Sequence, residues 1–190
     1  MMEKSLYDIC KTFAGQATKE AFLQKYPGYF FLGVVPTDIP DIEPDFHTGI
    51  TSSDLLKAKM EEFKETDRLR PGSFLVPIQK KEENEWLLWM SVGRTRNNDV
   101  VLRHASVSKL HARLYTEEEG DDEGEIKDED LDDSPQYRIS DTGSSLGTWV
   151  NGKKLARSES CRLFCGDLIK FGDIECYFLD SDNLYEKLSK

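Results

Sequence analysis

The period of the apolar positions changes near residue 70. Before it the spacing is helical. Leu6, Ile9, Cys10 and Phe13 fall at i, i+3, i+4 and i+7, one face of a first helix. A second helix is predicted from Thr18 to Tyr26, stopped by Pro27-Gly28. The run Tyr29–Val35 is short, aromatic and β-branched, which favours a strand. Pro36, Pro40 and Pro44 make the stretch to Gly49 a loop. Thr51 and Asp54 fit a capping box ahead of Leu55, Leu56, Met60 and Phe63, predicting a third helix from Ser52 to Thr66.

After Pro71-Gly72 the period becomes two. Strands are predicted at Ser73–Ile78, Trp86–Val92, Val100–Leu102, His111–Tyr115, Gln136–Ser140, Thr148–Val150, Ser160–Leu163, Asp167–Phe171 and Ile174–Leu179. Turn residues separate them, including Arg96–Asp99, Asp141–Ser144, Asn151-Gly152 and Gly172-Asp173. Many short, evenly spaced strands indicate a mainly β fold, an antiparallel sandwich or barrel. The expected organisation is a small α-rich cap over residues 1–66, a β-sandwich over 67–180, and a short helix or tail over 181–190.

Composition alters this picture in one place. The 190 residues are 38% apolar and 11% aromatic, enough for a core, and the net charge is −11. Residues 117–133 hold twelve acids against Lys127 alone, so this segment accounts for the whole surplus. Like charges at that density keep a backbone solvated, and residues 116–135 are expected to form a disordered hairpin loop within the sandwich. Nucleic acid is excluded as a partner, since no basic stripe offsets this block. A membrane is excluded as well, because no run of about 18 apolar residues exists. With an acidic start in place of a signal peptide, the expected compartment is the cytoplasm. Cys10, Cys161, Cys165 and Cys176 lack any C-x-x-C pair, so neither a disulfide framework nor a metal site is expected.

Two clusters carry candidate chemistry. Val92-Gly93-Arg94 precedes Val107-Ser108-Lys109-Leu110-His111, and a second cluster runs from Asp141 to Gly152. Gly93 permits a tight path at a strand end, from which Arg94 can project a planar guanidinium. Ser108 and Lys109 lie on a following loop and Ser145 on a third. A guanidinium, an ammonium and two hydroxyls around one point would make a phosphate cage of charge-assisted hydrogen bonds. That requires the three loops to share one end of the sandwich. Consecutive antiparallel strands connect at alternating ends, so the loops holding Ser108 and Ser145 should lie together and the acidic loop at the far end. The acidic block is therefore not expected to occupy the Arg94 pocket.

The sequence resembles the forkhead-associated (FHA) domain over about residues 68–180. The matching residues are Gly93-Arg94, Asp99-Val100-Val101-Leu102, Ser108-Lys109-Leu110-His111 and Asp141–Gly152. The resemblance, expected to be of a bacterial type, implies an FHA-type sandwich of about eleven strands that binds phosphothreonine peptides through loops at one end. By it, Arg94 and Ser108 contact the phosphate, with Lys109 beside them and Ser145 adding a hydroxyl. His111 braces the loops, and Gly93, Gly147, Asn151 and Gly152 shape the backbone. Leu146 stands where the family usually has Asn, which would bond the peptide main chain. Leucine offers no such bond, at a cost of about 1–3 kcal/mol. The implied partner is a threonine-phosphorylated protein, a Ser/Thr kinase or its substrate. The alternative is a phosphate-independent scaffold or self-assembly module that keeps the sandwich, favoured by an apolar residue at this position.

An enzyme is not expected and no cofactor is implied. No serine or cysteine sits in a recognisable nucleophile motif. The run Gly147–Lys154 approaches a nucleotide-binding P-loop but ends in Lys154, without the hydroxyl that would hold Mg²⁺, and its Thr-Trp-Val centre is a strand former.

Overall fold

The computed structural model describes residues 5–34, 73–117, 136–157 and 159–189. The expected helix over Ser52–Thr66 and the acidic segment from residue 118 onward lie outside them.

Two helices open the described chain, α1 (Leu6–Ala14) and α2 (Lys19–Lys25). Ser5 and Thr18 cap them by accepting the Asp8 and Ala21 amides. The buried face of α1 is Tyr7, Cys10 and Ala14, while Ile9 is 42% exposed. The stripe is thus rotated from the expected one because Tyr7, which the apolar count left out, turns its ring inward. Strand β1 (Tyr29–Val34) follows, then β2 (Ser73–Ile78), β3 (Met90–Gly93), β4 (Val100–Val101) and β5 (Ala112–Glu117). The second half holds β6 (Gln136–Asp141), β7 (Thr148–Val150), β8 (Lys153–Lys154), β9 (Ser160–Leu163), β10 (Leu168–Phe171) and β11 (Ile174–Asp180), with α3 (Ser181–Leu188) last.

The eleven strands form two sheets, ordered β2-β1-β11-β10-β7-β8 and β4-β3-β5-β6-β9. The mainly β sandwich is therefore as expected, with one departure from antiparallel pairing. Strands β3 and β4 run parallel, matching Val92 to Val100. The expected strand at Trp86–Val92 is shortened to its last part. Lys80 donates to the Leu87 and Trp89 carbonyls and ties the preceding residues into a loop, leaving Leu88 93% exposed.

Strand β1 corrects the expected boundary at residue 67. It lies between β2 and β11, pairing Phe31 with both Val76 and Phe178, so the N-terminal region supplies a central strand of the sandwich. Its continuous apolar run follows from burial on both faces. Phe31 enters the core between the sheets with Val92, Leu114, Ile139 and Phe171. Phe30 and Leu32 face the other way, into a second cluster with Tyr7, Cys10, Phe22, Leu184 and Leu188 of the three helices. The helices thus cover the outer face of one sheet. A buried phenylalanine or leucine contributes about 1.5–3 kcal/mol, and β1 supplies three.

Candidate phosphate-binding loop cluster

Register fixes which loops meet. Ala112 at the start of β5 pairs with Asp141 at the end of β6, and Glu117 pairs with Gln136 at the opposite end. The β4–β5 and β6–β7 connections therefore share one end of the sandwich, with the β3–β4 connection beside them. Glu117 and Gln136, where β5 ends and β6 begins, lie at the far end.

The three connections are in direct contact. The Arg94 amide donates to the Ser108 carbonyl at 3.0 Å. The Ser145 amide donates to Ser108 Oγ at 3.1 Å, and the two hydroxyls are 3.5 Å apart. Arg94, Lys109 and Ser145 are exposed and Ser108 is half-buried. The Arg94 backbone and the Ser108 and Ser145 hydroxyls are thus brought to one end of the sandwich, with Lys109 next to Ser108. No hydrogen bond or ion pair engages the Arg94 guanidinium or the Lys109 ammonium among the described residues. Leu146 is 47% exposed and Leu110 38%, on the two loops that Thr142 joins by donating to the Leu110 and His111 carbonyls.

His111 holds the loops together from below. It is fully buried; Nδ1 accepts the Ser108 amide at 3.0 Å and Nε2 lies 3.1 Å from the Gly147 carbonyl. One nitrogen must accept and the other must donate, so the ring is neutral, and burial pushes its pKa down accordingly. Gly93 is required by close approach: a Cβ there would lie 2.4 Å from the Lys109 carbonyl oxygen and 2.8 Å from Asn98 Nδ2. Gly147 has φ 89° and would direct a Cβ at Lys154. Asn151 and Gly152 are not part of this cluster. They form the β7–β8 turn at the other end of β7, where Asn151 bonds Asp167 and the Leu168 amide.

Sequence reasoning gave no role to three further polar residues that set the geometry, although Asp99 and Asp141 lie in the matching motifs. Asp141 accepts from the Gly143 and Ser144 amides and from the Ser144 and Thr148 hydroxyls. Burial pushes its pKa up, but these donors outweigh burial and hold it below the usual carboxylate range. Asp99 is also buried and accepts from the Ser91 amide and hydroxyl, the Lys81 amide and the Asn84 side chain, with the same net direction. Asn98 donates to the Thr95 and Lys109 carbonyls, joining the β3–β4 loop to the Ser108 loop. For Asp141 the signal available was an Asp two residues before Gly143 in a turn, where such carboxylates cap backbone amides. All four cysteines are free thiols; Cys176 is buried in β11, and burial pushes Cys165 up to about 11.

Residues 90–172 match the model of the FHA domain family. Human Kanadaptin is 35% identical over 80 residues, which cover 42% of this chain and 10% of Kanadaptin. This chain therefore spans only a small part of that relative, and the human match lends no support to the expected bacterial type. Among solved structures, the yeast Dun1 FHA domain in complex with a doubly phosphorylated peptide is 26% identical, covering 60% of this chain and 71% of that one at a TM-score of 0.43. The FHA domain of a Chlamydia trachomatis protein is 16% identical, covering 80% and 98% at a TM-score of 0.41.

Proposed function

We propose, from the FHA domain of residues 90–172, that this chain is a phosphothreonine-dependent protein-interaction module. Arg94 supplies charge and bidentate geometry to the phosphate, while Ser108, Lys109 and Ser145 complete the cage. The observation that carries this reading is the contact between the Ser108 hydroxyl and the Ser145 amide beside an arginine with no partner among the described residues. An exposed guanidinium on loops that His111, Asn98 and Asp141 hold in place suits capture of an external anion better than a structural ion pair. The proposed ligand is a threonine-phosphorylated segment of a Ser/Thr kinase or of its substrate, met in the cytoplasm, and the module catalyses nothing.

Calorimetry against phosphothreonine peptides, with wild type and Arg94→Ala, tests this. Loss of charge-assisted bonds of about 1.5–3 kcal/mol predicts a ten- to hundredfold weaker variant. Equal binding by both proteins, or equal binding of unphosphorylated peptides, removes the proposal.

One observation favours a second reading. Leu146 and Leu110 present apolar surface beside the anion site, which suits a phosphate-independent scaffold packed against protein. A complex on size-exclusion with light scattering that phosphatase leaves intact would support it.

A further inference from the structure

The outer face of the β4-β3-β5-β6-β9 sheet carries a row of cations. Leu114, Ile139 and Leu163 enter the core between the sheets, so alternation turns Arg113, Arg138 and Arg162 outward. Register places Arg138 directly opposite Arg162. Arg113 pairs with Ser140, two positions along β6 from Arg138, and so lies on the diagonal. The three arginines form one oblique row across β5, β6 and β9, with neighbouring Cβ atoms about 5–8 Å apart. The other outward positions around them are Ser91, Tyr115, Ser140 and Ser160, none of them acidic. Like charges directly opposite on neighbouring strands destabilise a sheet, so this row calls for a counterion.

The side chains of the row are positioned rather than loosely solvated. The Arg113 guanidinium lies 4.5 Å from the Trp89 ring centroid, and that of Arg162 lies 5.2 Å from the Phe164 centroid. Arg138 Nε donates to Ser160 Oγ at 3.3 Å. Arg113 Nε is buried without a hydrogen-bond partner among the described residues. Stacking uses the flat face of a guanidinium and leaves its N–H edge for an acceptor. The strands that carry this row are also the ones that the acidic block separates in sequence. Strand β5 ends at Glu117 and β6 begins at Gln136, and residues 118–135 lie outside the described ones. Residues 118–133 hold eleven acids against Lys127 alone. Along a strand, Gln136 is about 7 Å from Arg138 and Glu117 about 13 Å from Arg113. Half of the connection between them spans up to about 30 Å, so its length suffices to reach the whole row.

We propose that this arginine row is the docking surface for the chain's own residues 118–133, whose carboxylates serve as its counterions. Tethering at both ends holds that segment near the row at about millimolar concentration, so an acidic segment of another protein must compete with it. This docking is independent of the phosphothreonine reading, since the row lies on strands β5, β6 and β9 and not on the loops around Arg94.

Fluorescence anisotropy of a labelled peptide with the sequence of residues 117–133, added to the full chain, tests it. A neutralised variant, with the eleven acids of residues 118–133 replaced by Asn or Gln, should bind this peptide about tenfold more tightly than wild type, because its own segment no longer competes. That gain is not one a folding defect produces. Adding Arg138→Gln and Arg162→Gln to the neutralised variant should weaken binding about three- to thirtyfold, the loss of two charge pairs. Adding Arg94→Ala and Lys109→Ala instead removes the same charge elsewhere and should leave binding within about twofold. Raising the salt from about 50 to about 500 mM should narrow the gap between wild type and the neutralised variant. If wild type binds the peptide as tightly as the neutralised variant, the row is open to acidic partners and the chain's own segment does not occupy it. If neither binds, or if the two double substitutions weaken binding equally, the row is no docking surface. Each of these results overturns the proposal.

Discussion

Replacing His111 by alanine removes the one side chain that bonds both the Ser108 amide and the Gly147 carbonyl. The Gly147 carbonyl keeps the Gly172 amide, which donates to it at 3.2 Å. The Ser108 amide is left without a partner, at a cost of about 1–3 kcal/mol, and because Ser108 is half-buried water can recover part of it. The ring also packs edge-on to Phe171 at 5.7 Å, and its loss leaves a cavity in the core. With the cavity, a destabilisation of about 2–3 kcal/mol is expected, read as a lower urea midpoint at unchanged slope. Hydrogen exchange adds a local test, since the Ser108 amide should lose protection more than amides of β1. The pH profile gives a third. Burial lowers the folded-state pKa of His111 below its unfolded value of about 6.5, so its contribution is fully present above that pH and is lost as pH falls through the folded value. His111→Ala should flatten the stability profile in that window. A loss under about 0.5 kcal/mol, or an unaltered Ser108 amide, would refute the bracing role.

Gly93→Ala should destabilise by about 1–3 kcal/mol in thermal unfolding, because the new methyl meets the Lys109 carbonyl at 2.4 Å in a backbone with little room to shift. Asp99→Asn should cost about 2–4 kcal/mol, since an amide nitrogen cannot accept from the Ser91 or Lys81 amides. Because the Asp99 pKa is lowered by folding, wild type should lose this stability as pH falls below about 4, and the variant's urea midpoint should fall less steeply there. Leu146→Asn, at an exposed position, should leave unfolding unchanged and tighten phosphothreonine-peptide binding about tenfold in calorimetry, by restoring a main-chain hydrogen bond.

How much was legible follows from what each signal depends on. Strands with a clean period of two, such as Gln136–Asp141 and Ile174–Asp180, were found within a residue because one face of each is buried. Convergence of the Ser108 and Ser145 loops followed from alternation of strand ends. Trp86–Trp89 misled because apolar side chains mark a strand only when a partner covers them, and here Lys80 holds the backbone in a loop. The position of β1 was hidden by distance: its partner β11 lies about 145 residues downstream, and no local pattern encodes that pairing. The run Tyr29–Val34 did carry one clue, being apolar at every position but the glycine, as only a strand covered on both faces needs to be. Asp99 and Asp141 were invisible as structural groups because an acid in a turn reads the same whether its carboxylate faces water or backbone amides.

That ambiguity bears on function. At this end of the sandwich the polar groups divide into two populations. Asp99, Asn98, His111 and Asp141 have bonds from several donors or acceptors, and folding shifts the pKa values of the three titratable ones toward the form those bonds require. Arg94, Arg96, Arg103 and Lys109 have no side-chain partner among the described residues, although carboxylates lie within the same loops. Those carboxylates are already saturated by amides and hydroxyls, which leaves them poor partners for a guanidinium. Committing the acids inward to the backbone therefore does two things at once: it fixes the loops, and it leaves the outward-facing cations without an internal counterion. An anion arriving from outside meets cations that need not break an ion pair to receive it, and loops that need not order.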